Sequence, residues 1–134
     1  MKNLFLISRC LLGLMFTVFG LNGFLAFIKI PRPEGVAGQF MGALVDSGFM
    51  IPVFALQLTA GVLLLANRFV PLALVLLAPI IVNIALYHAL MEPHGLGTAA
   101  VTVALWAVVF HRERSAFAGL LSTQPRTSGA PDRA

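Results

Sequence analysis

The chain has 134 residues, 59% of them hydrophobic and 10% charged, with a formal net charge of +4 and a mean hydropathy of +0.94. A soluble domain carries about 25% charged residues, and one this small has too high a surface-to-volume ratio to bury so much apolar side chain. The composition excludes an ordinary water-soluble domain. The basic residues sit at the ends of apolar runs, which also excludes a nucleic-acid-binding surface and makes them topology signals.

The first apolar run leads from Lys2 and Arg9 through Cys10 to Ile28. It is longer than the roughly 7–15 residues of a signal-peptide core and has no small-x-small cleavage site, so it reads as an uncleaved membrane helix. Cys10 is the single cysteine, which excludes an internal disulfide and a dithiol motif; it reads as a small packing residue. Pro31, Arg32, Pro33, Glu34 and Gly35 then stop helical propagation. From Val36 to Val45, apolar residues recur at helical spacing over too short a stretch to span, as in an amphipathic helix that lies at the membrane surface or caps the bundle.

Three further apolar runs follow. Crossing the hydrocarbon core takes about 20 residues, and the four spans are expected at about 8–28, 49–66, 69–91 and 96–112. The last is completed by His111 and Arg112 reaching toward the headgroups. Asn67 and Arg68 form a turn short enough to force antiparallel neighbours, and Glu92 to Gly95 separates the last two spans. The expected fold is all-α: a transmembrane four-helix bundle over residues 1–115, with a short amphipathic helix between its first two spans. A polar, disordered cytoplasmic tail is expected over 116–134, Pro- and Gly-rich from Ser122 onward.

Placing the N-terminus inside puts Lys2, Arg9, Arg68, Arg112, Arg114 and Arg126 on the cytoplasmic side and leaves Lys29 and Arg32 outside. That bias puts both termini in the cytoplasm. Trp106 falls where an interfacial tryptophan near the inner face would sit.

Polar side chains inside a membrane are costly and usually face the bundle interior. Asn22, Gln57, Asn83 and His88 interrupt otherwise apolar spans, and helical rise places them at mid-depth or in the outer half. Tyr87 shares a face with Asn83, and Glu92 follows His88 by one turn, placing a carboxylate to orient the imidazole. These five residues, Asn22, Gln57, Asn83, Tyr87 and His88, form a candidate polar ligand-binding pocket for a quinone headgroup or another small ligand. The plain alternative is interhelical hydrogen bonding for Asn22, Gln57 and Asn83, and for His88 a helix-end side chain reaching headgroup water. Gly13, Thr17 and Gly20 line one face of the first span, and Gly61 on the second gives a matching close approach. Pro79 kinks the third span, and the backbone group it frees must find a partner within the protein. His88, Glu92 and His94 do not share a helical face across Pro93, so no metal is assigned. There is no Ser/His/Asp arrangement, phosphate-cradling glycine loop or paired buried carboxylate, so no catalytic residue is assigned.

The run from Arg9 to Phe24, with Gly13, Thr17, Gly20 and Asn22, resembles the opening helix of the DoxX-like family. So does the passage from Gln57 through Asn67-Arg68 to Ala73, and Pro79 to His88 is similar to that family's third helix. The resemblance covers roughly residues 5–112. It implies a four-helix bundle in the bacterial inner membrane and an association with redox chemistry, since some relatives look like subunits of thiosulfate:quinone oxidoreductase or of membrane-bound oxidoreductase complexes. The implied role is a subunit or scaffold of a quinone-linked system, with a redox protein as partner and no self-contained catalytic site. A small-molecule transporter or channel formed by a homo-oligomer, and a purely structural interaction protein, stay open beside it.

Overall fold

A computed structural model describes residues 1–121. Among the described residues the chain is all-helical: α1 (Lys2–Leu25), α2 (Gly35–Asp46), α3 (Met50–Leu65), α4 (Val70–Leu90) and α5 (Leu96–Glu113), with 3₁₀ turns at Pro93–Gly95 and Arg114–Leu121. α1 packs on α3 and α5, and α4 packs on the same two, so these four helices close a ring. Every neighbour in the ring is antiparallel. Gly13 meets Leu64 while Gly20 meets Leu58, and Trp106 reaches Leu74 while His88 lies against Gly95.

Three stretches are long and apolar enough to cross a membrane: Lys2–Leu25, Val70–Leu90 and Pro93–Leu120. At 1.5 Å per residue, α1 and α4 are about 36 and 32 Å long, against a hydrocarbon core of about 30 Å. α3 reaches only about 24 Å; together with α2 it passes the same test as a pair bent by 85°. The bend falls at Ser47–Phe49, where Gly48 adopts φ 77°, a left-handed conformation that costs glycine little.

The interior is built from Leu12, Phe16, Ala60, Leu64, Leu74, Leu77 and Val109. The outside is equally apolar: Leu6, Ile7, Leu14, Ile51, Leu72, Val82 and Val101 are all about half exposed. Apolar residues surround α4 on all sides, the pattern of a helix whose outer face meets lipid. The chain is thus a membrane-embedded helical protein.

Helix ends follow local chemistry. α1 stops before the prolines expected to break it. Ala26 turns left-handed at φ 49°, and the Asn22 carboxamide clasps Ile28, accepting from its N–H at 2.6 Å and donating to its carbonyl at 3.2 Å. α3 ends in a Schellman turn around Asn67 (φ 53°), with the Arg68 N–H donating to Leu63 at 3.0 Å and the Asn67 N–H to Leu64 at 3.2 Å. α2 is tied at its base by Arg32 on Asp46 at 2.7 Å. The hydrogen bond to Asp46 and its charge raise the Arg32 pKa, but both partners are exposed and water screens the pair.

Past α5 the chain stays ordered further than its composition suggests. The tail was expected from residue 116, yet 114–121 is helical and Phe117 is buried against Phe110 at 4.9 Å between ring centroids; the expected disorder of 122–134 lies outside the described residues. Trp106 is half-buried in the packing, with its Nε1 donating to the Leu74 carbonyl at 3.1 Å and its ring stacked on Phe110. Arg9, near the start of α1, is only 6% exposed.

Candidate functional site

Two cavities open beside α3. The first, about 520 Å³, lies between α2, α3 and α4; its polar lining is Gln57, Asn83, Tyr87 and His88, and Pro79 contributes to its wall. The second, about 290 Å³, lies between α1, α3 and α5 and includes Asn22, Gln57, His88, Thr98 and Thr102. Gln57 and His88 line both, as do Met41 and Met50. All five predicted residues therefore line this paired cavity, but four belong to the first chamber and Asn22 to the second.

Their remaining hydrogen-bonding capacity differs sharply. Asn22 is engaged with Ile28. Asn83 donates from Nδ2 to the Pro79 carbonyl one turn back, at 2.9 Å, which ties its amide to the α4 backbone at the proline. Tyr87 stacks on Phe40 of α2 at 6.1 Å and meets the His88 ring edge-on at 5.1 Å. α2, expected to lie on the surface or cap the bundle, thus forms one wall of the first chamber.

His88 does not use the carboxylate expected for it. Its Nδ1 lies 3.0 Å from the Glu92 carbonyl oxygen, and the Glu92 carboxylate contacts His94 Nδ1 instead, at 2.8 Å. A carbonyl only accepts, so a proton sits on Nδ1; in the tautomer with that single ring proton, Nε2 carries a lone pair. Gly95 makes room for the imidazole, since a Cβ there would collide with the ring.

Gln57 is the outlier. It is 7% exposed, and its Oε1 is buried without a hydrogen-bond partner among the described residues. A buried acceptor left in this state costs about 1–3 kcal/mol. Beside it, the second chamber adds Thr102, which is buried and donates to Thr98 at 2.8 Å. Sequence reading passed over both threonines, although their one-turn spacing in an apolar span is the same kind of signal as Asn83. The methionines were missed because flexible apolar gap-fillers carry no positional signature.

Among the described residues, no three His, Cys, Asp or Glu side chains come together as metal ligands would. The arrangement can hold a small ring compound with polar groups at its edge: aromatic and thioether walls, an amide at the junction and an imidazole nitrogen. Comparison with protein-family models, with curated proteins and with solved structures finds no match to this chain.

Proposed function

We propose that the chain is a four-helix transmembrane protein of the DoxX-like type that binds a quinone headgroup in the paired cavity. It serves as a ligand-holding subunit or scaffold of a membrane-associated redox system. The bent α2–α3 pair supplies the remaining span, and both termini face the cytoplasm of a bacterial inner membrane. The observation that carries this reading is the buried Gln57 Oε1, without a hydrogen-bond partner among the described residues, at the junction of two cavities inside an otherwise apolar bundle. Rotating that amide exchanges an acceptor for a donor. It can therefore meet the hydroxyl of a quinol or the carbonyl of a quinone, while the His88 Nε2 lone pair accepts from a hydroxyl. The electrons come from and leave to a partner, because no redox group belongs to these residues. A headgroup entering between α2 and α4 keeps its tail in lipid.

The test is mild-detergent purification followed by mass spectrometry of bound quinone and of co-purifying proteins. Wild-type chain should retain quinone, and a Gln57→Leu, Asn83→Leu double variant with unchanged helical content should lose it. Equal retention by the double variant sinks the pocket. Solute flux through vesicles containing this chain alone would favour a transporter instead.

A further inference from the structure

A third cavity, about 500 Å³, lies at the opposite end of the bundle from His88, between the start of α1 and the end of α5. Its lining divides by height. Leu4, Phe5 and Ala107 form the deeper, apolar wall, while His111, Arg112 and Arg114 crowd the rim. From Ala107 to Arg112 the helix rises about 8 Å, the step from upper acyl chain to headgroup. Arg114 Nη1 lies 3.5 Å from His111 Nε2. The ion pairs among the described residues, Arg32–Asp46 and His94–Glu92, involve none of these groups. Two guanidinium groups and an imidazole thus surround a groove whose described lining contains no carboxylate.

We propose that this groove is a binding site for one anionic phospholipid, with the phosphate held by Arg112 and Arg114 and an acyl chain lying along Leu4, Phe5 and Ala107. Charge complementarity selects the headgroup, since basic pockets between membrane helices hold anionic lipids in this way. Arginine offers a planar fork that matches phosphate oxygens. The apolar floor selects a lipid over a free anion. The site is separate from the paired cavity and does not depend on what that cavity binds.

The test uses the full chain in nanodiscs of mixed phosphatidylglycerol, diphosphatidylglycerol and phosphatidylcholine, released into mild detergent for native mass spectrometry. Wild-type chain should retain an anionic lipid in preference to phosphatidylcholine. Each surface arginine is worth roughly fivefold toward anionic lipid, so Arg112→Gln with Arg114→Gln should weaken retention about thirtyfold. Lys29→Gln with Arg32→Gln removes the same charge at the other end and should leave retention unchanged. Ala107→Trp fills the groove floor with every charge in place and should also lower retention. The proposal is overturned if both charge variants behave alike, if Ala107→Trp retains lipid fully, or if inorganic phosphate displaces the bound species as well as lipid does. Circular dichroism on each variant ensures that a lost lipid is read on a folded chain.

Discussion

The Arg9 guanidinium donates to the carbonyl oxygen of Leu64, across the interface between α1 and α3. A second contact runs to the Leu65 carbonyl at 3.4 Å. The last carbonyls of a helix carry partial negative charge and lack intrahelical donors, so a buried cation from the neighbouring helix closes the end of α3. This fixes the vertical register of the two helices and, with it, the height of Gln57 against α1.

Arg9→Met is expected to lower stability by about 1–2 kcal/mol through loss of charge-assisted hydrogen bonds, the value being held down by relief of a buried charge. Arg9→Glu should cost more, about 3–5 kcal/mol, because it buries a carboxylate against the negative end of α3. Unfolding of the purified chain in mixed micelles measures both. Equal loss from the two substitutions would show that the site senses only size.

The α1–α3 approach rests on glycine. A Cβ on Gly61 would lie 2.5 Å from the Thr17 backbone nitrogen, and one on Gly20 would lie 2.6 Å from that of Leu58. Backbone atoms cannot rotate aside, so Gly61→Val should force the helices apart at a cost of about 1–3 kcal/mol. Gly97 on α5 has nothing within 4 Å of a built Cβ. There Gly97→Ala should stabilise by up to about 1 kcal/mol through helix propensity alone. The same micelle titration reads both, and a destabilising Gly97→Ala would refute the open space beside α5.

These contacts show how much of the molecule was legible in the sequence. The helices, the tight Asn67–Arg68 turn and the Gly13–Thr17–Gly20 face follow from periodicity and small-residue spacing; α2 to α5 lie within a residue or so of their expected places, while α1 starts at Lys2 instead of about residue 8. The five polar residues were legible as interruptions of apolar runs. What each does with its hydrogen bonds was not, because that depends on local backbone: Asn22 turns to Ile28 only because Ala26 goes left-handed, and His88 finds a carbonyl rather than a carboxylate because the chain turns at Glu92. The capping contact of Arg9 was not legible, because a charge near a chain end looks the same whether it snorkels to water or caps a neighbouring helix.

Trp106 anchors α5 to α4. Trp106→Phe keeps the stack on Phe110, with centroids 4.9 Å apart, and loses only the hydrogen bond to the Leu74 carbonyl. It should cost about 1 kcal/mol. Trp106→Ala loses the ring as well and should cost about 3–5 kcal/mol. Thermal unfolding followed by circular dichroism separates the two, since the substitutions remove the only tryptophan.

The His88 tautomer is also open to measurement. Nitrogen-15 spectra of the labelled imidazole should show a proton on Nδ1, the nitrogen facing the Glu92 carbonyl. Gly95→Ala places a methyl group against that ring and should displace it, shifting population toward the Nε2–H form without unfolding the chain. A spectrum unchanged by Gly95→Ala would mean that the ring does not rest on Gly95.

Gln57 offers the clearest separation of stability from function. Its buried Oε1 has no partner among the described residues, so Gln57→Leu, close in volume and lacking polar atoms, should raise the stability of ligand-free chain by about 1–3 kcal/mol. Asn83→Leu should do the opposite by about 1 kcal/mol, because Asn83 already bonds the Pro79 carbonyl. Adding a short-tailed quinone analogue should then stabilise wild-type chain and leave Gln57→Leu unmoved, since a ligand stabilises only the folded state that binds it. A residue present merely to pack helices would give the reverse pattern: destabilisation on removal and no response to ligand in either chain. Thermal shifts of both proteins, with and without the analogue, distinguish the two cases.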